Sequence, residues 1–189
     1  MEKKELQKLF RDYMKSHGFK SKGNVCTKYL ADDYLVFAML EHSSFGSEYG
    51  VEYGVVYEAD QLEKPFNGMM ADWSDCFSWP LPDGGKSPYR FDYNARTAVD
   101  FTTCLDWNMA ERFSCLNERE YVLDQYRNNW FLYRAIPYVT VQKICRLAGI
   151  SPEVAIAVRD SKCKTAEMIE DFLRSFEQNP SISIPESAN

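Results

Sequence analysis

The sequence feature that most constrains the fold is the alternating segment Glu48-Tyr-Gly-Val-Glu-Tyr-Gly-Val-Val-Tyr-Glu58. Positions 49, 51, 53, 55 and 57 are Tyr, Val, Tyr, Val and Tyr. Successive side chains of a strand project to opposite faces, so these five residues share one face and Gly50, Glu52 and Gly54 lie on the other. The segment therefore predicts a β-strand with one aromatic and aliphatic face.

The residues before this strand predict a helix and two further strands. Residues 2–17 carry apolar side chains at the spacing of one helical face, and Gly18 suits the left-handed cap of that helix. Residues 25–30 and 34–41 have the composition of strands joined by a tight turn. Together with 49–57 they predict a three-stranded antiparallel meander, and 89–93 is a candidate fourth strand.

The rest of the chain changes character twice. Residues 60–88 hold four prolines and three glycines, which predicts irregular structure. Residues 95–178 return to helical spacing. Within them, one helix is predicted to start near Asn117, to carry Val122, Tyr126, Trp130 and Tyr133 on one side, and to end before Pro137. We therefore predict an α+β fold: an α+β sheet region at 1–94, a helical region at 95–178 packed on it within one domain, and a disordered tail at 179–189.

The charge balance and the cysteines narrow the functional classes. The chain has 22 basic and 28 acidic residues, a net charge of -6, which argues against nucleic acid and anionic membranes and permits a basic protein partner. No apolar run approaches the roughly 20 residues that span a bilayer, and no signal segment is evident, so a cytoplasmic location is expected. The six cysteines are far apart in the sequence, which predicts buried free thiols.

Residues for catalysis are scarce. The only histidines are His17, at the predicted end of the first helix, and His42, at the end of a strand. The cysteines lack the paired spacing of a zinc site, although Cys163 lies between two lysines that would favour its thiolate. Asp83-Gly-Gly-Lys-Ser87 resembles a phosphate loop, but Pro80 stands where that motif needs glycine. We predict no catalytic residue, metal or cofactor.

One cluster in the proline-rich segment has two interpretations. Asp72, Trp73, Asp75 and Trp79 place two carboxylates beside two aromatic side chains. Paired carboxylates with an aromatic platform suit glycan chemistry, whereas loop aspartates more often form turns with their own backbone. As a surface, the four residues are the predicted site of partner binding.

Residues 140–160 have the pattern of a helix-turn-helix. Thr140 is the predicted cap of a first helix that ends at Gly149, and Ser151 caps a second helix. A recognition helix should present basic or amide side chains to base edges, yet the second helix offers Arg159 as its only basic residue. The pattern therefore favours a structural helical hairpin, with DNA binding as the alternative.

The first third of the chain resembles the bacterial domain of unknown function 4304 family. The resemblance is carried by Gly18-Phe-Lys-Ser-Lys-Gly-Asn24 after the leucine-rich helix, a strand ending Glu-His-Ser-Ser44, then Gly46 and the Tyr-Gly-Val-Glu-Tyr-Gly-Val strand. It covers residues 1–58 and implies an intracellular α+β domain. The family supplies no established activity, so the resemblance assigns no catalytic residue.

Three functional hypotheses follow. The first is a non-enzymatic protein-interaction domain, of an immunity or antitoxin kind, that contacts a basic partner through Asp72, Trp73, Asp75 and Trp79. The second is a helix-turn-helix DNA-binding protein that uses residues 140–160. The third is a hydrolase in which His42 acts with the loop carboxylates.

Overall fold

The first helix, α1 (Lys3–Ser16), forms as its apolar spacing predicts. A computed structural model describes residues 2–42, 46–62, 66–80, 86–88 and 90–178. Helix α1 buries Leu6, Phe10 and Met14 completely. Gly18 has a φ of +85° and Phe19 N–H donates to the Met14 carbonyl at 3.1 Å, so the helix ends in a left-handed glycine cap, as predicted.

The sheet contains the predicted meander with additional strands at its margins. Its main path runs β1 (Lys20–Lys22), β2 (Val25–Ala31), β3 (Tyr34–His42), β4 (Glu48–Tyr57) and β5 (Trp73–Cys76), and all neighbours are antiparallel. The predicted meander corresponds to β2, β3 and β4. Strands β1 and β5 flank it at the two margins and were not predicted from the sequence.

The register divides the sheet into two faces, as the alternation predicts. One face carries the odd-numbered residues of β4, all at most 3 % exposed, opposite Tyr34, Val36, Ala38 and Leu40 of β3. We call it the helix face, because α1 and residues 109–119 contact it: Gln7 Nε2 donates to the Tyr49 hydroxyl at 3.2 Å. The other face, which we call the outer face, carries Leu35, Phe37, Met39 and Glu41 of β3.

The segment predicted to be irregular is partly ordered, which corrects that prediction. It contains 3₁₀ turns at Ala59–Gln61 and Gly68–Met70, strand β5, and a separate hairpin of β6 (Ser78–Pro80) and β7 (Lys86–Pro88). Apolar residues of this segment cover the centre of the outer face, where Ala59, Leu62, Phe66 and Ala71 pack on Leu35, Phe37 and Val56. Prolines are tolerated in β6 and β7 because a two-stranded ladder has outer edges. The short strand β8 (Phe91–Asp92) pairs with the start of β4, within the predicted fourth strand.

Helix α2 (Ala98–Asn108) follows the sheet, and Thr97 caps it by accepting the Asp100 N–H at 3.2 Å. It continues into a π turn (Met109–Phe113) and a 3₁₀ turn (Ser114–Asn117). These elements belong to a first compact unit, Met1–Arg119. That unit therefore extends past the sheet region predicted to end at residue 94.

The second compact unit, Glu120–Asn189, is helical in its described part. Helices α3 (Arg119–Asn128), α4 (Tyr138–Ala148), α5 (Pro152–Asp160) and α6 (Ala166–Gln178) are joined by short turns and a 3₁₀ segment, Trp130–Ala135. Two boundaries correct the sequence predictions: α4 begins after Pro137 rather than Thr140, and the apolar stripe from Val122 to Tyr133 is interrupted after Asn128. The predicted disordered tail, 179–189, lies outside the described residues. None of the helices in the described ranges has both the length and the apolar character needed to cross a membrane.

Candidate functional site

Asp72, one of the four predicted contact residues, is buried and stabilises the sheet. Its side chain is 4 % exposed, and its carboxylate accepts the Tyr57 N–H at 2.8 Å. This bond joins the segment before β5 to the end of β4. Because a buried carboxylate needs such donors, Asp72 holds the sheet edge and does not present its charge to a partner.

Trp73 and Asp75 lie together beside Tyr53. The ring of Trp73 meets the Tyr53 ring edge-on at 5.8 Å between centroids, and the Asp75 carboxylate accepts from the Tyr53 hydroxyl at 3.4 Å. Arg112 forms an ion pair with Asp75 at 3.2 Å and donates to the Cys76 carbonyl at 3.1 Å. Burial, followed by the charge of Asp75, raises the pKa of Tyr53 above its ordinary value. Of Trp79 the structure gives the backbone in β6, and its side chain lies outside the described residues.

The histidines are engaged separately with aromatic side chains. The ring of His17 stacks on Tyr13 at 4.4 Å between centroids, and the ring of His42 meets Tyr49 edge-on at 4.7 Å. His42 pairs with Tyr49 in the ladder while Asp75 pairs with Tyr53, four residues farther along β4. At about 3.4 Å per residue that offset is roughly 14 Å along the strand. The structure thus does not bring His42 together with the loop carboxylates.

The cysteines lie in surroundings that suppress their reactivity. Burial raises the pKa of Cys26 to about 11 and that of Cys104 to about 12. The exposed Cys76 also has a raised pKa, first through partial desolvation and then through the negative charges of Asp75 and Glu52. Cys163 is buried, as the sequence predicts for the cysteines, whereas the exposed position of Cys76 corrects that prediction. Among the residues the structure describes, no group of three or more potential ligands could hold a metal ion.

The helix pair at 138–160 has the geometry of a packed hairpin. Gly149 adopts a φ of +71°, and the Ser151 hydroxyl accepts the Val154 N–H at 3.4 Å, as the turn and cap signals predict. Arg159 donates from Nε to the Ile136 carbonyl at 2.9 Å, and its guanidinium lies 4.2 Å from the Tyr138 ring centroid. The basic side chain that a recognition helix would need is therefore already occupied. DNA binding by this pair stays a prediction that the geometry does not favour.

A groove opens on the outer face, beside the segment that covers its centre. It has a volume of about 440 Å³ and is lined by Lys22, Val25, Thr27, Tyr29, Leu35 and Phe66. Tyr29 is 55 % exposed. Tyr29 pairs with Leu35 and Ala31 with Tyr34, so Leu30 is an extra residue in β2. Such bulges bend a strand and redirect its side chains, and they occur frequently beside functional sites.

An acidic patch lies on the outer face, at the end of the sheet away from Tyr29. It consists of Glu41 and Glu52, which the register places diagonally on β3 and β4. Partial burial and then the charge of Glu52 raise the pKa of Glu41, while Arg90 opposes the shift. Neither the patch nor the groove was predicted, because both depend on which strands become neighbours.

Comparison with known proteins gave no relative: no protein-family model, no curated protein and no solved structure matches the chain. The resemblance to the domain of unknown function 4304 family stays a prediction.

Proposed function

We propose that this chain is a non-enzymatic protein-interaction domain and that the outer-face groove around Tyr29 is its contact surface. The observation that carries the proposal is the exposed Tyr29, which lines a mostly apolar groove of about 440 Å³. Interaction hot spots are enriched in tyrosine and lie in pockets that a partner can seal from water. The chain would then be an interaction domain of an immunity or antitoxin kind, and the chemistry of the groove defines the partner that it would bind.

The free energy gained by burying the exposed part of Tyr29 against a partner would match that of a hot-spot residue. A tyrosine can bury on the order of 200 Å², so the exposed half of Tyr29 offers about 100 Å². At about 25 cal/mol per Å², covering it contributes about 2.5 kcal/mol. That is enough to change a dissociation constant by nearly two orders of magnitude.

The charges beside the groove favour an acidic segment. Lys20 and Lys22 both lie on the outer face of β1, the first strand of the sheet path, and both are exposed. Within the described residues, no carboxylate lies within 4.0 Å of either ammonium group. An extended segment with an apolar side chain and a neighbouring Asp or Glu would therefore be complementary to the groove. It could also add backbone hydrogen bonds along β1.

The predicted basic partner has a second candidate surface, the acidic patch. Partial burial and then repulsion from Glu52 raise the pKa of Glu41, and a cation brought by a partner would relieve that repulsion. Trp73 and Asp75 offer less to such a partner, because Arg112 already pairs with Asp75.

Selection of peptides on the full chain distinguishes the two surfaces. A random heptapeptide library displayed on phage should yield sequences with an apolar residue beside Asp or Glu. Tyr29→Ala should abolish their enrichment, and Lys22→Glu should reverse the charge preference. Tyr138→Ala is the matched control, because Tyr138 is 46 % exposed in the second unit. The library could instead yield basic peptides whose enrichment disappears in the Glu41→Gln/Glu52→Gln variant. That result would identify the acidic patch, and not the groove, as the contact surface.

A further inference from the structure

A second cavity lies on the helix face of the sheet. It has a volume of about 190 Å³ and lies between the end of α1, strands β2 and β3, and the π turn. Phe19, Val36, Met109 and Phe113 provide its apolar lining, and its polar members are His17, Lys28, Ser114 and Asn117. We call it the helix-end pocket. π turns inserted in helices recur at functional sites, and this one contributes Met109 and Phe113 to the lining.

Lys28 gives the helix-end pocket a positive charge with unused donors. Its Nζ donates to the His17 carbonyl at 3.2 Å and lies 5.7 Å from the Phe19 ring centroid. An ammonium group has three N–H donors, and this one contacts no carboxylate within 4.0 Å among the described residues. Two donors are therefore available to an anionic ligand.

His17 adds a second polar group with a defined orientation. Its Nδ1 lies 2.9 Å from the Tyr13 carbonyl oxygen. A carbonyl can only accept, so Nδ1 donates its N–H there, and Nε2 can donate to an anionic ligand only when the ring is doubly protonated.

The local charge also favours an anion. Residues 1–28 hold eight basic and three acidic side chains, although the whole chain has a net charge of -6. Of these basic residues, Lys15 and Lys28 lie at the end of α1 that contains the pocket, so an anionic ligand would meet positive charge there.

We propose that the helix-end pocket binds a small carboxylate with a compact apolar body, such as an aromatic monocarboxylate. The apolar body would lie against Phe19, Val36 and Phe113, and its carboxylate would accept from Lys28. The size agrees, because a dry apolar cavity of about 150 Å³ is known to hold benzene in another protein. This site lies on the opposite face of the sheet from the groove around Tyr29. Ligand binding at the pocket can therefore be tested independently of the proposed interaction function.

The test is a titration of the full chain, labelled with ¹³C in its valine and methionine methyl groups, with benzoate and with its neutral analogue benzamide. Benzoate should shift the Val36 and Met109 methyl signals saturably, with a dissociation constant on the order of 1 mM for so few non-hydrogen atoms. Benzamide should bind about tenfold more weakly, because it offers no charge to Lys28.

Variants separate the pocket from the general positive charge of this region. Lys28→Met should weaken benzoate binding about tenfold while Lys28→Arg retains it, and Val36→Phe should abolish it by filling the cavity. Lys20→Met is the matched control, since Lys20 lies on the outer face and should leave binding unchanged. The methyl signals of Val51 and Val56, which are buried elsewhere in the first unit, report whether that unit is folded in each variant. Absence of saturable shifts at Val36 and Met109, or equal affinity in the wild type and Lys28→Met, would overturn the proposal.

Discussion

Gly54 lies where β4 and β5 approach most closely, and its replacement by alanine is the sharpest test of the sheet. A Cβ atom there would lie 2.0 Å from the Trp73 carbonyl oxygen, 2.9 Å from the Ser74 Cα and 3.0 Å from the Phe37 ring. Ordinary contacts begin near 3.4 Å, so the β5 backbone would have to move by about 1.4 Å. A backbone paired in a ladder cannot make that shift and keep its hydrogen bonds.

The loss in stability can be estimated from the interactions that β5 would lose. Two ladder hydrogen bonds contribute about 2 kcal/mol, and the contact between Trp73 and Tyr53 contributes about 1 kcal/mol more. We therefore expect Gly54→Ala to lower the free energy of unfolding by about 3 kcal/mol. In a protein of this length that corresponds to a fall in Tm of about 6–12 °C. Urea unfolding followed by circular dichroism, with a parallel thermal scan, measures both quantities.

Gly46→Ala is the control, because a Cβ at Gly46 has no neighbour within 4 Å. It should change the free energy of unfolding by less than about 0.5 kcal/mol. If Gly54→Ala cost less than about 1 kcal/mol, the close pairing of β4 with β5 would be refuted, and with it the positions of Trp73 and Asp75.

Three further predictions address single side chains. Asn108 is fully buried and bonds both the N–H and the carbonyl of Ser78 at 2.9 and 2.8 Å, so Asn108→Leu should cost about 2–4 kcal/mol in urea unfolding, and a neutral outcome would contradict this bridging role. The pKa of Glu41 is raised in the folded chain, so its ionisation opposes folding as pH rises; Glu41→Gln should raise Tm at pH 7 and leave it unchanged at pH 3, whereas an equal effect at both pH values would exclude a charge effect. At pH 8 a thiol reagent should modify the exposed Cys76 well before Cys104, because burial raises the pKa of Cys104 to about 12. Asp75→Asn should accelerate the modification of Cys76 by removing a negative charge. Mass spectrometry of the modified peptides checks both outcomes.

The fold follows from the sequence wherever local periodicity decides the structure. The alternation at 49–57 and the apolar stripe of α1 correctly indicated a buried strand face and a helix to cover it. Strand β5 could not be recognised in Trp73-Ser-Asp-Cys76, because its pairing depends on Gly54, which is distant in sequence and admits its backbone. The interruption after Asn128 was missed for a related reason: Asn129 accepts the Phe131 N–H and starts a new turn within a continuous apolar stripe.

The candidate sites were less predictable than the fold. Asp72, Trp73 and Asp75 were recognised as neighbours, but residue type alone could not show that Asp72 is buried against Tyr57 while Asp75 pairs with Arg112. Tyr29 looked like any strand tyrosine, and only the register shows that it stands over a groove. The role of Lys28 was equally hidden in the sequence, because the turn at Gly18 is what places Lys28 at the end of α1.

The central claim, that the groove around Tyr29 binds an acidic protein segment, is tested most directly by calorimetry. A synthetic peptide from the selection should be titrated into the wild-type chain and into Tyr29→Ala. Loss of about 2.5 kcal/mol should weaken binding by about 70-fold, and the wild type should bind with a negative heat-capacity change. Equal dissociation constants for the two proteins would contradict the claim.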